Sequence, residues 1–144
     1  MPEAIQYRPV QLDKVILDRG SVFTATLFPA RTVEQVQSGL EHLVQGKKFR
    51  TASHNVVAYR LRGDGGQVVE HKDDGYSGRG RESGAGRVVL EVLRAKDALD
   101  VVVVVTRWFG GIPLGGARFR HFGNAAALVL DAGNGAQLQG RSSI

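Results

Sequence analysis

The chain has 144 residues, the length of one domain, enough to bury a core without covalent staples. Hydrophobic residues make up 42% and charged residues 23%, globular values that exclude wholesale disorder. No apolar run approaches the ~20 residues of a membrane span, and cysteine is absent, which excludes disulfides, thiolate metal sites and thiol catalysis. The first residues lack the apolar stretch of a secretion signal, so the expectation is a soluble cytoplasmic protein with no membrane attachment. The formal net charge is +5, from 19 Lys+Arg against 14 Asp+Glu. Such a balance suits an anionic partner, nucleic acid or an acidic protein surface, or it simply solvates the surface. From Val101 to Leu130 there is no acid at all, while Arg107, Arg118, Arg120 and His121 lie there.

Residues 1–12 read as a tail or a leading edge strand. Val15, Ile16 and Leu17 are apolar, Asp18-Arg19-Gly20 turns the chain, and Ser21 to Leu27 alternates as a half-buried strand does, which suggests a hairpin. Thr32 to Gln45 is the clearest helix, with Val33, Val36, Leu40, Leu43 and Val44 at helical spacing. Thr32 and Gln35 fit a capping box, and Gly46 fits a left-handed stop. Ser53 to Leu61 reads as a strand, with Gln67 to His71 returning as its hairpin partner. Residues 72–87 hold no Ile, Leu, Val or Phe and read as a loop. A helix follows to Lys96, begun near Ala85 with Ser83 or Glu82 as its cap. Val101 to Thr106 is continuously apolar, so the spacing predicts a central strand covered on both faces. Gly110 to Gly116 is a tight turn, Ala117 to Leu130 a helix, and the polar residues from 132 to 144 a tail. The order β-β-α-β-β-α-β-α predicts a single α+β domain over residues 1–144. Its sheet would be mixed or antiparallel, with helices mainly on one face.

Residues able to carry chemistry gather at two places. Around the glycine-rich turn stand Arg107, Trp108, Phe109, Gly110, Gly111, Gly115, Arg118 and Arg120. Glycines let the backbone turn sharply, and a helix N-terminus beside arginines attracts anions. The glycine spacing matches neither a phosphate-binding Walker loop nor a dinucleotide fingerprint, so the turn either holds an anionic group or serves packing alone. Trp108 and Phe109 are neighbours on a strand, so one of the two is expected to be buried. The second place is Asp73-Asp74-Gly75, with Glu82 beyond. Paired carboxylates can bind a metal or act as acid and base, but Asp side chains bonded to backbone N–H groups in a turn explain the pair more simply. His54, Tyr59 and Arg60 share one strand, His54 and Arg60 on one face and Tyr59 on the other. No nucleophile triad or metal cage is visible, so the chain reads as a non-enzymatic protein with no cofactor.

The segments ASHNVVAYRL, Asp73-Asp74-Gly75 and above all VVVTRWFGGIPLGGARFRHFGN resemble the IMPACT N-terminal domain family. The similarity runs from about Val15 to about Leu130. It implies a fold like the second domain of ribosomal protein S5, an α+β sandwich. It also implies a regulator of translation in the response to amino-acid starvation, which binds a ribosome-associated activator of an initiation-factor kinase. The alternative is a nucleic-acid-binding module that uses the arginine-lined turn. Two departures qualify the transfer. Family members read Asp-Asp-Gly-Glu, whereas Tyr76 follows Gly75 here, so Tyr76 to Arg81 reads as an insertion and Glu82 as the displaced family acid. Such an insertion is expected to be mobile and dispensable for folding. In addition, 144 residues leave room for neither the extra RWD-type domain of eukaryotic members nor the ferredoxin-like domain of bacterial ones.

Overall fold

In the computed structural model residues 7–142 are described, with side-chain surroundings as far as Asn134; residues 1–6 and 143–144 of the expected tails lie outside the described residues. The apolar and alternating runs become strands β1 (Val10–Asp18), β2 (Ser21–Pro29), β3 (His54–Leu61), β4 (Val69–Asp73) and β5 (Val101–Trp108). The helices are α1 (Val33–Gln45), the single turn α2 (Lys47–Arg50), α3 (Ala85–Ala95) and α4 (Ala117–Ser142). The strands form one sheet in the order β1-β2-β5-β3-β4. Every pairing is antiparallel, so the sheet is not mixed: β5 enters between β2 and β3 and runs opposite to both.

The five-valine run lies at the middle of this sheet and is covered on both faces, as its lack of polar residues requires. Val101, Val103 and Val105 join Phe23 and Leu27 beneath α3 and α4, which contribute Val89, Leu93, Phe122 and Val129. Val102 and Val104 face the other way, onto Val36, Leu40 and Leu43 of α1. Two long helices therefore share one face, and α1 covers part of the other.

The turns differ from expectation in ways that have local causes. Asp18 pairs directly with Ser21, so the first hairpin turns on Arg19 and Gly20 alone, both at positive φ (47° and 83°). That is the mirror-image turn that suits the right-handed twist of paired strands. Thr32 does cap α1, its hydroxyl accepting the Gln35 N–H at 3.1 Å. The Gln35 side chain, however, reaches back one residue further than a capping box, to the Arg31 N–H at 2.7 Å. Gly46 is extended (φ −67°, ψ 127°), not left-handed, because the chain passes straight into α2. Neither Ser83 nor Glu82 caps α3: the Asp74 carboxylate accepts the Gly84 and Gly86 N–H groups, at 3.1 and 2.8 Å. Beyond Leu130 the helical backbone of α4 runs on to Ser142, and Gly133 is buried against Leu27, so the residues after 131 are not a frayed tail from their start.

The segment Tyr76–Arg81 is held down rather than loose. The Tyr76, Arg79 and Gly80 N–H groups donate to the carbonyls of Asn55, Ala52 and Ser53 at 2.8 to 3.1 Å. Asn55 Nδ2 donates to the Ser77 carbonyl, and Tyr76 packs on the α1-side core. Its ends nevertheless meet, since the Glu82 N–H donates to the Asp74 carbonyl at 2.9 Å. Deleting residues 76–81 is therefore sterically closable but costs several hydrogen bonds, each worth about 1 kcal/mol net. The shorter loop offsets only a few tenths of that. Urea unfolding of the deletion variant should show a loss of about 3–4 kcal/mol; an unchanged midpoint would show that these contacts contribute nothing.

Candidate functional site

The site is built at the end of the sheet where β5 leaves it. β5 runs two residues further than its apolar stretch suggests, and this extension places Arg107 inside the fold instead of at the rim of the turn. In the β5 register Arg107 lies between Phe23 and His54, on the face covered by α3 and α4. It is only 4% exposed. A buried guanidinium needs a counter-charge, and Glu82, 7% exposed, supplies it at 2.5 Å. The second carboxylate oxygen of Glu82 accepts from Arg118 Nε at 3.1 Å. His54 Nε2 approaches the first oxygen at 3.9 Å. The acid from the far side of the loop thus joins two arginines of the acid-free window and one histidine of β3. It stands where an outside anion was the alternative reading.

Arg118, in the first turn of α4, also donates to the Gly115 carbonyl and lies with its guanidinium carbon 4.3 Å from the Phe119 ring centre. Arg107 sits 5.6 Å from the ring centres of both Phe23 and Phe109. Two buried polar atoms in this cluster have no partner, Arg107 Nε and His54 Nδ1.

Two serines clamp the turn itself. Ser21 Oγ accepts the Gly110 N–H at 3.2 Å and Arg107 Nη2 at 3.4 Å, and Ser53 Oγ accepts the Phe109 N–H at 2.8 Å. His121 Nε2 pairs with Asp18 Oδ2 at 2.7 Å, tying α4 to the β1–β2 turn. Asp18 and Ser21 fall in no motif of the sequence, and Ser53 and His121, though inside the segments that carry the family resemblance, show no role there; only the folded chain sets them beside Phe109, Arg107 and the β1–β2 turn. Gly110 packs so closely on Gly20 that no side chain fits, while Gly111 and Gly115 take left-handed backbone, at φ 93° and 59°.

The other expected residues are dispersed. Neither aromatic of the turn is buried: Phe109 is 51% exposed, and Trp108 is half-buried on the opposite face. There Trp108 meets Phe49 and donates to the Lys48 carbonyl. Arg120 is exposed. Asp73 accepts the Gly75 N–H within a turn, and Asp74 caps α3, so the acidic pair does structural work at this point. Arg60 lies at the far end of β3, paired with Glu70 at 2.9 Å and Asp97 at 3.6 Å. Tyr59 faces α1. Arg94 and Arg60 together hold the Glu70 carboxyl below its usual range, Arg94 contributing most through its hydrogen bonds. Among the described residues no three His, Asp or Glu side chains form a group able to hold a metal, and no helix is long and apolar enough to cross a membrane.

Residues 19–130, which make this cluster and all of the sheet but β1, match the model of the Impact N-terminal domain. The chain belongs to the Impact N-terminal domain family. It is 40% identical over 124 residues to Protein IMPACT of Xenopus laevis, covering 85% of this chain and 38% of that protein. It is 38% identical over 120 residues to the Protein IMPACT homolog of Schizosaccharomyces pombe, covering 81% and 41%. The chain thus spans about two fifths of the length of these relatives. Among solved structures it is similar to a hypothetical protein (TM-score 0.67, 25% identity, 85% of this chain and 57% of that one). It is also similar to the two-domain translational regulator Yih1 (TM-score 0.55, 32% identity, 86% and 44%). The α+β architecture expected from the Impact family resemblance is the one observed.

Proposed function

We propose that this Impact-family domain is a non-enzymatic docking module of translational control, and that the turn after β5 is its contact surface for a protein partner. One observation carries the choice of partner. Two of the three arginines that could grip phosphate, Arg107 and Arg118, are paired with Glu82, which leaves only Arg120 exposed there, whereas Phe109 and Ile112 stand out from the same turn, 51% and 50% exposed. Apolar and aromatic anchors on a rigid support are what protein interfaces use; a nucleic-acid surface needs free positive charge. The serine clamps and the Glu82 cluster provide the support. The family resemblance implies a ribosome-associated protein of the cytoplasm as the partner, in the response to amino-acid starvation, and the likeness to a structure described as a translational regulator favours translational control.

Capture of ribosome-associated proteins from a cell extract, with and without nuclease, tests this reading beside capture of a single-stranded RNA oligonucleotide. The double variant Phe109→Ala/Ile112→Ala should lower protein capture at least tenfold and leave the fold intact. Arg120→Glu, at an exposed position, should leave protein capture unchanged. Protein capture that vanishes with nuclease, or RNA capture that falls steeply with salt and is abolished by Arg120→Glu, would establish the nucleic-acid reading instead.

A further inference from the structure

α1 covers only the centre of its sheet face, and the strip over β3 and β4 is left as a cleft of about 160 Å³. Val36 and Leu40 form its apolar wall, and Tyr59, Tyr76, His71 and Asp73 its polar one. The rings of Tyr59 and His71 stand 5.3 Å apart, tilted by 34°. Small-molecule sites run to roughly 300 Å³ and above, so this cleft is the size of one side chain and not of a cofactor.

Three features state what that side chain is. First, Tyr59 lines the cleft and its hydroxyl, which is not shut off from solvent, has no hydrogen-bond partner among the described residues, so it is free to bond a group that enters. Second, the local charge is acidic. Asp73 lines the cleft, and burial first, then the charges of Glu41 and Asp73, push the Tyr76 phenol above its ordinary range. No lysine or arginine lines the cleft, in a chain where they outnumber the acids. Lys72 and Glu70, the other charged residues of β4, alternate to the opposite face, where Lys72 lies against Gly86 of α3 and Glu70 pairs with Arg94. Third, β4 is an outer strand of the sheet, bonded to β3 alone, so its far edge can receive an extended chain.

We propose that this cleft holds one lysine or arginine side chain of a partner polypeptide lying extended along β4. The alkyl stem packs on Val36 and Leu40. The charged head is accepted by the Asp73 carboxylate and the Tyr59 hydroxyl, beside aromatic rings that attract cations. The surface lies away from the turn after β5, on the other face of the sheet, and does not depend on that turn being the docking site.

Two capped pentapeptides, acetyl-Thr-Val-Lys-Val-Thr-amide and the same peptide with norleucine for lysine, test the proposal by two-dimensional amide NMR titration of the intact chain. The lysine peptide should give saturable shifts on Val36, Tyr59, His71 and Asp73, and bind at least fivefold tighter than the norleucine peptide. Val33→Lys, at the exposed lip of the cleft, should remove those shifts while the rest of the spectrum stays in place, and Tyr59→Phe should weaken binding severalfold. Asp73→Asn should do the same, but because it also touches the Gly75 turn, Val33→Lys and Tyr59→Phe are the deciding variants. Equal binding of the two peptides, shifts that do not saturate, or shifts that persist in Val33→Lys would overturn the proposal.

Discussion

Replacing Glu82 with Ala should lower the unfolding free energy by about 3–5 kcal/mol, the cost of stripping the partner from a buried charge. Glu82 and Arg107 are both nearly excluded from water, and their bond is as short as any in the cluster. Without the carboxylate, Arg107 keeps only the Ser21 hydroxyl at 3.4 Å, and Arg118 loses its inward anchor. The pair itself need not stabilise the fold, because desolvating two ions offsets most of their attraction. A double variant, Glu82→Leu with Arg107→Met, should therefore recover most of what Glu82→Ala loses. Urea unfolding of the three proteins measures both numbers. A loss below 1 kcal/mol for Glu82→Ala would mean that water reaches Arg107 and that the cluster is not the closed unit described. Recovery of stability without recovery of partner capture would assign the ion pair to positioning the turn.

That cluster also marks how far the residues alone could be read. Hydrophobic spacing located β2, β3, β5 and the three long helices, because each buries a face whose period the sequence displays; β1 and β4, no residue of which is fully buried, show only as short runs beside turns. The central place of Val101–Val105 follows from the same logic: five apolar residues in a row leave no face for water. The departures arise where backbone groups or long-range partners decide. Asp74 caps a helix that begins eleven residues later, and no local capping rule reaches that far. Tyr76–Arg81 has the composition of a loose loop, but its bonds run from backbone N–H groups to backbone carbonyls, which every sequence possesses. Arg107 looks like a surface residue at the end of an apolar strand; only Glu82, brought in from the β4–α3 loop, makes its burial tolerable. The dispersal of His54 and Arg60 was within reach of arithmetic. Six residues of strand span roughly 20 Å, so the two could share a face but not a site.

The glycine turn gives the second large effect. Gly110→Ala should destabilise the fold by about 3 kcal/mol, the upper end of what overpacking costs. A Cβ at Gly110 would fall well inside contact distance of the Gly20 carbonyl group and the Ser21 nitrogen. These are backbone atoms, so no side chain can swing aside. Gly20 is itself held at φ 83° in the two-residue hairpin turn, and cannot retreat without unpairing Asp18 from Ser21. The β1–β2 turn and the end of β5 must therefore separate, breaking the Gly110–Ser21 hydrogen bond and shifting Phe109 beside it. Partner capture should fall together with stability. Gly116→Ala is the matched control in the same turn, because nothing stands within 4 Å of its Cβ position and its φ is not positive. It should be neutral, or more stable by about 0.4–1 kcal/mol through the lost freedom of the unfolded chain. Thermal and urea unfolding of the two variants separate the cases: comparable effects at both positions would show that the close approach of Gly110 to Gly20 is not what the turn requires.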